Sequence, residues 1–253
     1  MKTLQTTLAR ALAACVCLAG LCLFASGSFA AGPTGWLNDT GQVECVNDVA
    51  PVAMVTCAAA LAGDAGTLPR QDGRFGRDVA APVKIGGGVA GFDFTRMCWS
   101  GAVEGSATCT GTLVSNTTAV KSAAAATDWA CTKDNVTNLI WSLQTQRSSW
   151  TLASATTYAN AGHNTPKRCG FSTGWRLPTS AELLSIVHNG LAVGPMVDIL
   201  FFPSMSSSWY WSSESDVSAT DKPNAWVVYF GDGESNSDVK SKANSVLLVR
   251  SGP

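Results

Sequence analysis

In the second half of the chain, hydrophobic and polar positions predict three strands and two helices. An apolar run at 138–143 predicts a strand, and 151–161 predicts a helix. Two further β-type runs, 226–230 and 246–249, are separated by the polar stretch 231–245. We expect these two runs to be paired strands joined by a long exposed loop.

The clearest helix signal covers residues 179–190. Thr179 and Glu182 have the spacing of a capping box, and Gly190 is typical of a helix C-terminus. Leu183, Leu184 and Val187 fall on one face of this helix, and we expect them to form its buried stripe.

Turn signals are frequent over residues 31–125, for example at 72–73 and 86–88, so long helices are not expected there. The triplets 83–85 and 92–94 alternate like short strands. An Ala-rich run at 122–126 is a linker or a short helix. These features predict a Cys-containing N-terminal region over 31–125 and a second domain over 126–253.

Residues 1–30 have the pattern of a secretory signal peptide. Lys2 and Arg10 precede or flank an apolar stretch at 11–24, and residues 28–30 form a small-x-small site, so cleavage after Ala30 is expected. The apolar stretch is too short for a membrane span, and no later stretch in the chain is long enough. A lipoprotein-like box ending at Cys15 is the alternative, but Arg10 leaves little apolar sequence before it. We therefore expect an exported protein that is periplasmic, on the outer surface or secreted, with no transmembrane segment in the mature chain.

Loss of the signal leaves an even number of cysteines, which predicts disulfides in an oxidising compartment. They are Cys45, Cys57, Cys98, Cys109, Cys131 and Cys169. Sequence order suggests that each pairs with its neighbour, first with second, third with fourth and fifth with sixth. A zinc site is the alternative, but the close spacing of structural zinc ligands is missing, so no metal is predicted at these thiols.

Composition excludes one class of function. The chain has 46% hydrophobic and 14% charged residues, which predicts a folded core. Its formal net charge is −1, and it becomes −3 when Lys2 and Arg10 leave with the signal. Nucleic-acid binding is not expected, because it needs a clustered cationic face.

An ordered series of motifs covers much of the second half. It runs through DNVTNLIW at 134–141, CGFSTGWRLPT at 169–179, YWSS at 210–213 and AWVV at 225–228. Over residues 128–250 the chain resembles the Lcl C-terminal domain family. The segments 39–42 and 71–78 look like those that often precede this domain in exported bacterial proteins.

The resemblance implies an α+β, C-type-lectin-like fold with two helices on a twisted antiparallel sheet. A disulfide-pinned region of loops and strands would precede it. It also implies a cell-surface or envelope role, with glycosaminoglycan or other glycan binding for the family's namesake.

Departures from that pattern limit what the resemblance implies about function. The collagen stalk of the namesake and the sugar and calcium motifs of C-type lectins are missing from this sequence. A sulfated polyanion is not favoured by the mature charge unless Lys222, Lys240, Lys242 and Arg250 form a local patch. The related formylglycine-generating enzymes use catalytic cysteines, and no cysteine follows Cys169.

Among the aromatic residues, Trp209 is the candidate ligand contact. It follows three serines, and an exposed indole there would stack on a sugar ring. Trp175, Trp211 and Trp226 lie in apolar stretches and are expected in the core. The full set of predicted ligand-binding residues is Trp209, Asp232, Glu234, Asn236, Asp238, Lys240 and Lys242.

Calcium is an alternative for this polar stretch, because oxygen side chains alternate over 232–238. The glycine of an EF-hand loop is missing, and Ala243 occupies the twelfth position, so solvated hairpin residues are the default interpretation and no cofactor is predicted. Arg176 and Glu182 are interpreted as structural, with Arg176 pairing with a carboxylate or loop carbonyls.

Catalysis has little support in the sequence. The two histidines, His163 and His188, are in no metal motif, and no Gly-x-Ser-x-Gly turn occurs. His188 is expected as a cation at the C-terminal end of the helix. The predicted function is a non-enzymatic exported binding module, an adhesin or envelope protein that recognises glycans or surface ligands. The alternative is a structural or protein-interaction subunit of a surface assembly with envelope protein partners, and a hydrolase is a third reading.

Overall fold

The computed structural model describes seven segments of the chain. They are residues 39–47, 53–56, 83–111, 125–144, 146–162, 167–218 and 223–253. All of them belong to one compact unit, Pro33–Pro253. The predicted signal peptide, Cys57, His163 and Lys222 lie outside the described residues.

These segments are mostly sheet with two short helices. The strands are β1 (Glu44–Asn47), β2 (Ala53–Thr56), β3 (Phe94–Cys98), β4 (Trp129–Asp134), β5 (Leu139–Ser142), β6 (Gln146–Trp150), β7 (Trp209–Ser215), β8 (Asn224–Tyr229), β9 (Ser235–Val239), β10 (Asn244–Val246) and β11 (Val249–Ser251). The helices are α1 (Leu152–Gly162) and α2 (Ser180–Leu184). Neither helix in this part of the chain is long and apolar enough to cross a membrane.

The strands form a hairpin, β1-β2, and two larger sheets. One has the order β6-β10-β7-β8-β9 and the other β11-β5-β4-β3. All pairs are antiparallel except β10 with β7, which are parallel at Ser245 and Tyr210. The expected single antiparallel sheet is therefore two sheets, one of them mixed.

The five-stranded sheet separates two hydrophobic cores. Tyr210 lies opposite Val228 and Trp211 lies opposite Val227. Because successive side chains of a strand point to opposite faces, the first pair packs into one core and the second pair into the other. This sheet is buried on both sides at its centre.

Residues before 125 belong to the same sheet as residues after it. β3 pairs with β4 from Phe94 opposite Asp134 to Cys98 opposite Trp129. Phe92 and Phe94 are buried in one of the two cores. A domain boundary near residue 125 therefore divides this sheet.

The predicted strand at 83–85 does not form. Val83 and Ile85 are 96% and 80% exposed, respectively. The backbone N–H groups of Ile85 and Gly86 donate to the carboxylate of Asp93 at 2.9 and 2.8 Å. This turn supplies the backbone with partners that a sheet would otherwise provide.

The predicted pairing of 226–230 with 246–249 is wrong. β8 pairs with β9, a strand inside the stretch predicted as a loop. β10 pairs with β6 and β7, and β11 pairs with β5. The run from Val246 to Val249 is fully buried because it passes from one sheet to the other, which explains its apolar composition.

α1 confirms the helix predicted at 151–161, but α2 is much shorter than predicted. Its capping box is present: Glu182 N–H donates to Thr179 Oγ1 at 3.1 Å, and Thr179 N–H donates to Glu182 Oε2 at 2.8 Å. The helix ends at Leu184 because the chain continues in tighter turns and His188 N–H donates to Met196 O. Leu183 and Val187 are buried as predicted, but Leu184 is 40% exposed.

Two of the disulfides suggested by sequence order are formed. Cys98 is bonded to Cys109, and Cys131 is bonded to Cys169. Cys45 is also disulfide-bonded. The Cys131–Cys169 bridge joins β4 to the turn that precedes Trp175.

Candidate functional site

The predicted contact residue Trp209 lies in a strand. It begins β7 and is half-buried. Its ring stacks on that of Tyr229 on β8, with centroids 4.9 Å apart. The indole therefore covers its neighbouring strand and is not presented from a loop.

The polar candidates lie along the β8–β9 hairpin and the following turn. Asp232 and Glu234 are exposed at one end of β9, where Glu234 N–H donates to Asp232 Oδ1 at 2.9 Å. Lys240 and Lys242 follow the other end, about 20 Å away at the usual rise of a strand. The structure does not bring these four side chains together.

Asp238, near the end of β9, is occupied by protein partners. It forms an ion pair with Lys242 at 2.8 Å and accepts a hydrogen bond from Asn244 at 3.1 Å. Burial alone would raise the pKa of Asp238, but the hydrogen bonds from Lys242 and Asn244 outweigh it and lower that pKa. Across the described segments, no group of three His, Cys, Asp or Glu side chains could hold a metal ion.

The cationic patch considered from the sequence is not assembled by the residues described. Lys242 is paired with Asp238, while Arg250 lies on β11 in the other sheet. The Arg250 guanidinium lies over the ring of Phe171, 3.4 Å from its centroid, and burial lowers its pKa.

Trp226 is a second tryptophan whose position differs from the prediction. It was expected in the core, but it is 37% exposed. It lies on β8 directly opposite Ser237 of the edge strand β9. Its position near the sheet edge, where no further strand covers it, explains the exposure.

Polar groups surround this indole. Asn224 shares its face of β8 and lies 3.5 Å from the hydroxyl of Ser237. Hydrogen bonds from Ser218 and Ser237 lower the pKa of the nearby Asp216. We call Asn224, Trp226, Ser237 and Val239 the hairpin face.

An apolar cavity of about 430 Å³ forms a second candidate site. It is lined by Val89, His188, Leu191, Val193, Gly194, Pro195, Val197, Asp198, Ile199 and Leu200. Val193, Ile199 and Leu200 are 80%, 58% and 62% exposed, respectively. This site was not predicted from the sequence, although the dense apolar composition of 191–202 is a signal for it.

His188 is buried in the wall of this cavity and is held by the backbone. Gly190 N–H donates to its Nδ1 at 3.1 Å, and both Gly190 and Gly41 are packed against the ring. Burial lowers the pKa of His188 despite the opposing charges of Asp198 and Asp39. The imidazole is therefore neutral near pH 7, with its proton on Nε2. The expected cation at a helix end is wrong, since α2 ends at Leu184.

Asp198 is the second buried polar residue of the cavity wall. Its Oδ1 accepts from Leu200 N–H at 3.0 Å, and its Oδ2 accepts from Val89 N–H at 3.3 Å. These bonds connect two walls of the cavity, because Val89 comes from the segment before β3.

Arg176 and Glu182 have the structural role that was expected. The guanidinium donates to both carboxylate oxygens of Glu182, at 2.7 and 2.6 Å, and also to Leu177 O at 3.1 Å. The hydrogen bonds that Arg176 donates to Glu182 raise the pKa of Arg176 above its ordinary value. This pair joins the start of α2 to the motif residues before it.

Comparison with known proteins identifies the family of one part of the chain. No curated protein matches the chain. The sequence model of the Lcl C-terminal domain family matches residues 130–250. That span runs from β4 to β11 and contains α1, α2, the hairpin face and most of the cavity lining. Residues 130–250 of this chain therefore form an Lcl C-terminal domain.

Proposed function

We propose that the chain is a non-enzymatic binding protein, exported to the envelope or cell surface, whose Lcl C-terminal domain recognises glycans through the hairpin face. The family match supports an adhesin-like, cell-surface role. A sheet-dominated domain with two short helices is compatible with the lectin-like fold that the family resemblance implies.

The exposed indole of Trp226 is the observation that carries the proposal. A sugar ring presents an apolar C–H face and an edge of hydroxyl groups. An aromatic ring stacks on the C–H face, and amide, hydroxyl and carboxylate groups form hydrogen bonds with the hydroxyl edge. Trp226 has Ser237 opposite it and Asn224 beside it, with Asp216 within hydrogen-bonding reach of Ser237.

The charge of the mature chain and of the residues near the hairpin face favours a particular glycan class. The mature chain has a net charge of −3 once residues 1–30 are removed. Asp216 is a carboxylate near the hairpin face, while Asp238 and Lys242 neutralise each other in an ion pair. A neutral or amino-containing glycan therefore suits this surface better than a sulfated one.

A glycan array of the mature protein tests the proposal. We expect Trp226→Ala to weaken binding to the best glycan at least tenfold, and Trp226→Phe to retain part of it. Trp209→Phe is the matched control, because it keeps an aromatic stack on Tyr229. Near-ultraviolet circular dichroism checks that each variant is folded.

Two results would reject the proposal. One is a folded Trp226→Ala variant that binds as strongly as the native protein. The other is no glycan binding together with a stoichiometric protein partner after crosslinking in the native envelope, which would favour the structural-subunit alternative.

A further inference from the structure

We propose that the apolar cavity next to His188 binds a neutral small molecule that joins an apolar body to one hydroxyl group. The site is separate from the hairpin face and does not depend on glycan recognition. Its volume of about 430 Å³ lies in the range of small-molecule pockets.

The walls of the cavity define the apolar part of the ligand. Most lining side chains are aliphatic, and Val193, Ile199 and Leu200 are also exposed to solvent around it. Contiguous exposed apolar side chains at a concave surface are typical of a binding site. A ligand that fills the cavity would remove this surface from water.

The imidazole of His188 supplies a hydrogen-bond donor. Its Nδ1 is occupied by Gly190 N–H, which leaves the proton on Nε2. The residue is only 7% exposed, yet the described residues provide no protein acceptor for Nε2–H. Nε2 is not one of the fully buried nitrogens without a partner, so solvent reaches it, and a ligand oxygen in the cavity would replace that water as the acceptor.

The carboxylate of Asp198 supplies an acceptor and excludes anions. It is 6% exposed and accepts one backbone N–H on each oxygen, which leaves further lone pairs. Its charge acts on the imidazole of His188. A ligand hydroxyl can accept from His188 or donate to Asp198, whereas the charge of Asp198 would repel a carboxylate ligand in this partly dehydrated cavity.

Three probes of one shape separate these contributions: 2-naphthol, naphthalene and 2-naphthoate. We measure their dissociation constants with the full mature protein at neutral pH by NMR titration, and follow the ring nitrogens of His188. We expect 2-naphthol to bind about tenfold more tightly than naphthalene, the size of one hydrogen bond. 2-Naphthoate should bind most weakly, and 2-naphthol should shift the Nε2 resonance.

Two variants locate the site. Val193→Asp combined with Ile199→Asp should weaken 2-naphthol binding at least tenfold. The matched control is Val83→Asp combined with Val217→Asp, which changes two residues that are 96% and 76% exposed and do not line the cavity. His188→Asn retains an acceptor for Gly190 N–H but removes the Nε2–H donor, so it should bring the affinity for 2-naphthol down to that for naphthalene.

The proposal is overturned if none of the probes binds, if all three bind equally, or if the cavity variant binds like its control. Trp226→Ala should leave 2-naphthol binding unchanged. Loss of glycan binding and loss of naphthol binding are therefore separate outcomes, and either proposal can fail alone.

Discussion

At the level of single residues, Glu182 serves two partners at once. It completes the capping box with Thr179 and forms a two-bond ion pair with Arg176. We expect Glu182→Gln to lower the free energy of unfolding by about 1 kcal/mol near neutral pH, because the side chain of Arg176 is partly exposed and its charge is screened. Urea unfolding of the variant and of Glu234→Gln, an exposed control, measures the difference.

The same carboxylate contributes a pH dependence. Burial would raise the pKa of Glu182, but hydrogen bonds from Arg176 and Thr179 lower it below the ordinary value. This stabilisation is complete above the pKa of the unfolded chain and is lost as pH falls through the folded value. The difference in stability between native protein and Glu182→Gln should therefore shrink between about pH 6 and about pH 3. A constant difference would contradict the assignment.

The lowered pKa of His188 predicts a second effect of pH on stability, in a different pH range. Because burial lowers its pKa, the unfolded chain binds a proton more readily than the folded protein. Stability should fall as pH drops from the ordinary histidine pKa toward the folded value, about pH 6.5 and below. His188→Asn should show a smaller decrease over this range, measured as the difference between the two urea unfolding curves. Equal slopes would mean that another group titrates.

Single residues were predictable where the signal was local. The capping box depends on two residues three positions apart, and the burial of Trp175 and Trp211 follows from their apolar neighbours. The exposure of Trp226 and Leu184 could not be predicted in this way. It depends on which strand or loop covers them, and that is decided by residues far away in the sequence.

At the level of elements, the two disulfides close loops of very different length. Cys131–Cys169 spans 38 residues and Cys98–Cys109 spans 11. In the chain-entropy model these closures contribute about 4 and about 3 kcal/mol, respectively. Replacing both members of a pair with Ala should therefore destabilise the protein more for the longer loop. Denaturant unfolding of the two double variants measures the order, and the reverse order would contradict it.

The helices and the strand predicted at 138–143, which is β5, were predicted better than the strand pairing. A helix depends on contacts between neighbours in sequence, so α1 and the start of α2 could be read from local pattern. Strand partners are set by the whole fold. β10 lies between β6 and β7, and β11 lies beside β5, and no local feature of the run at 246–249 specifies either arrangement.

The candidate sites show the same limit at the scale of the whole molecule. The cavity combines segments distant in sequence, since Val89 meets Asp198, and the hairpin face depends on the strand register that places Trp226 opposite Ser237. Sequence reasoning selected the hairpin by its polar composition but could not place its side chains. It could not detect a cavity whose walls are ordinary apolar residues.

The core that residues before and after 125 share predicts how the chain responds to truncation. A fragment of residues 126–253 lacks β3 together with Phe92 and Phe94, which are almost fully buried. It also loses Thr40 O, which accepts from Asn189 N–H at 2.7 Å. We expect this fragment to be partly unfolded, with weak near-ultraviolet circular dichroism and strong binding of a hydrophobic dye.

The compact unit, residues 33–253, is the reference, and Phe94→Ala in that unit is the intermediate case. Removing this buried ring should cost about 3–5 kcal/mol while leaving one cooperative transition, because the rest of β3 remains paired. Fragment 126–253 should show no such transition. If it unfolded as cooperatively as the reference, with the same midpoint, the family-matched residues would fold without their N-terminal strand, and the shared core would not be required for the domain.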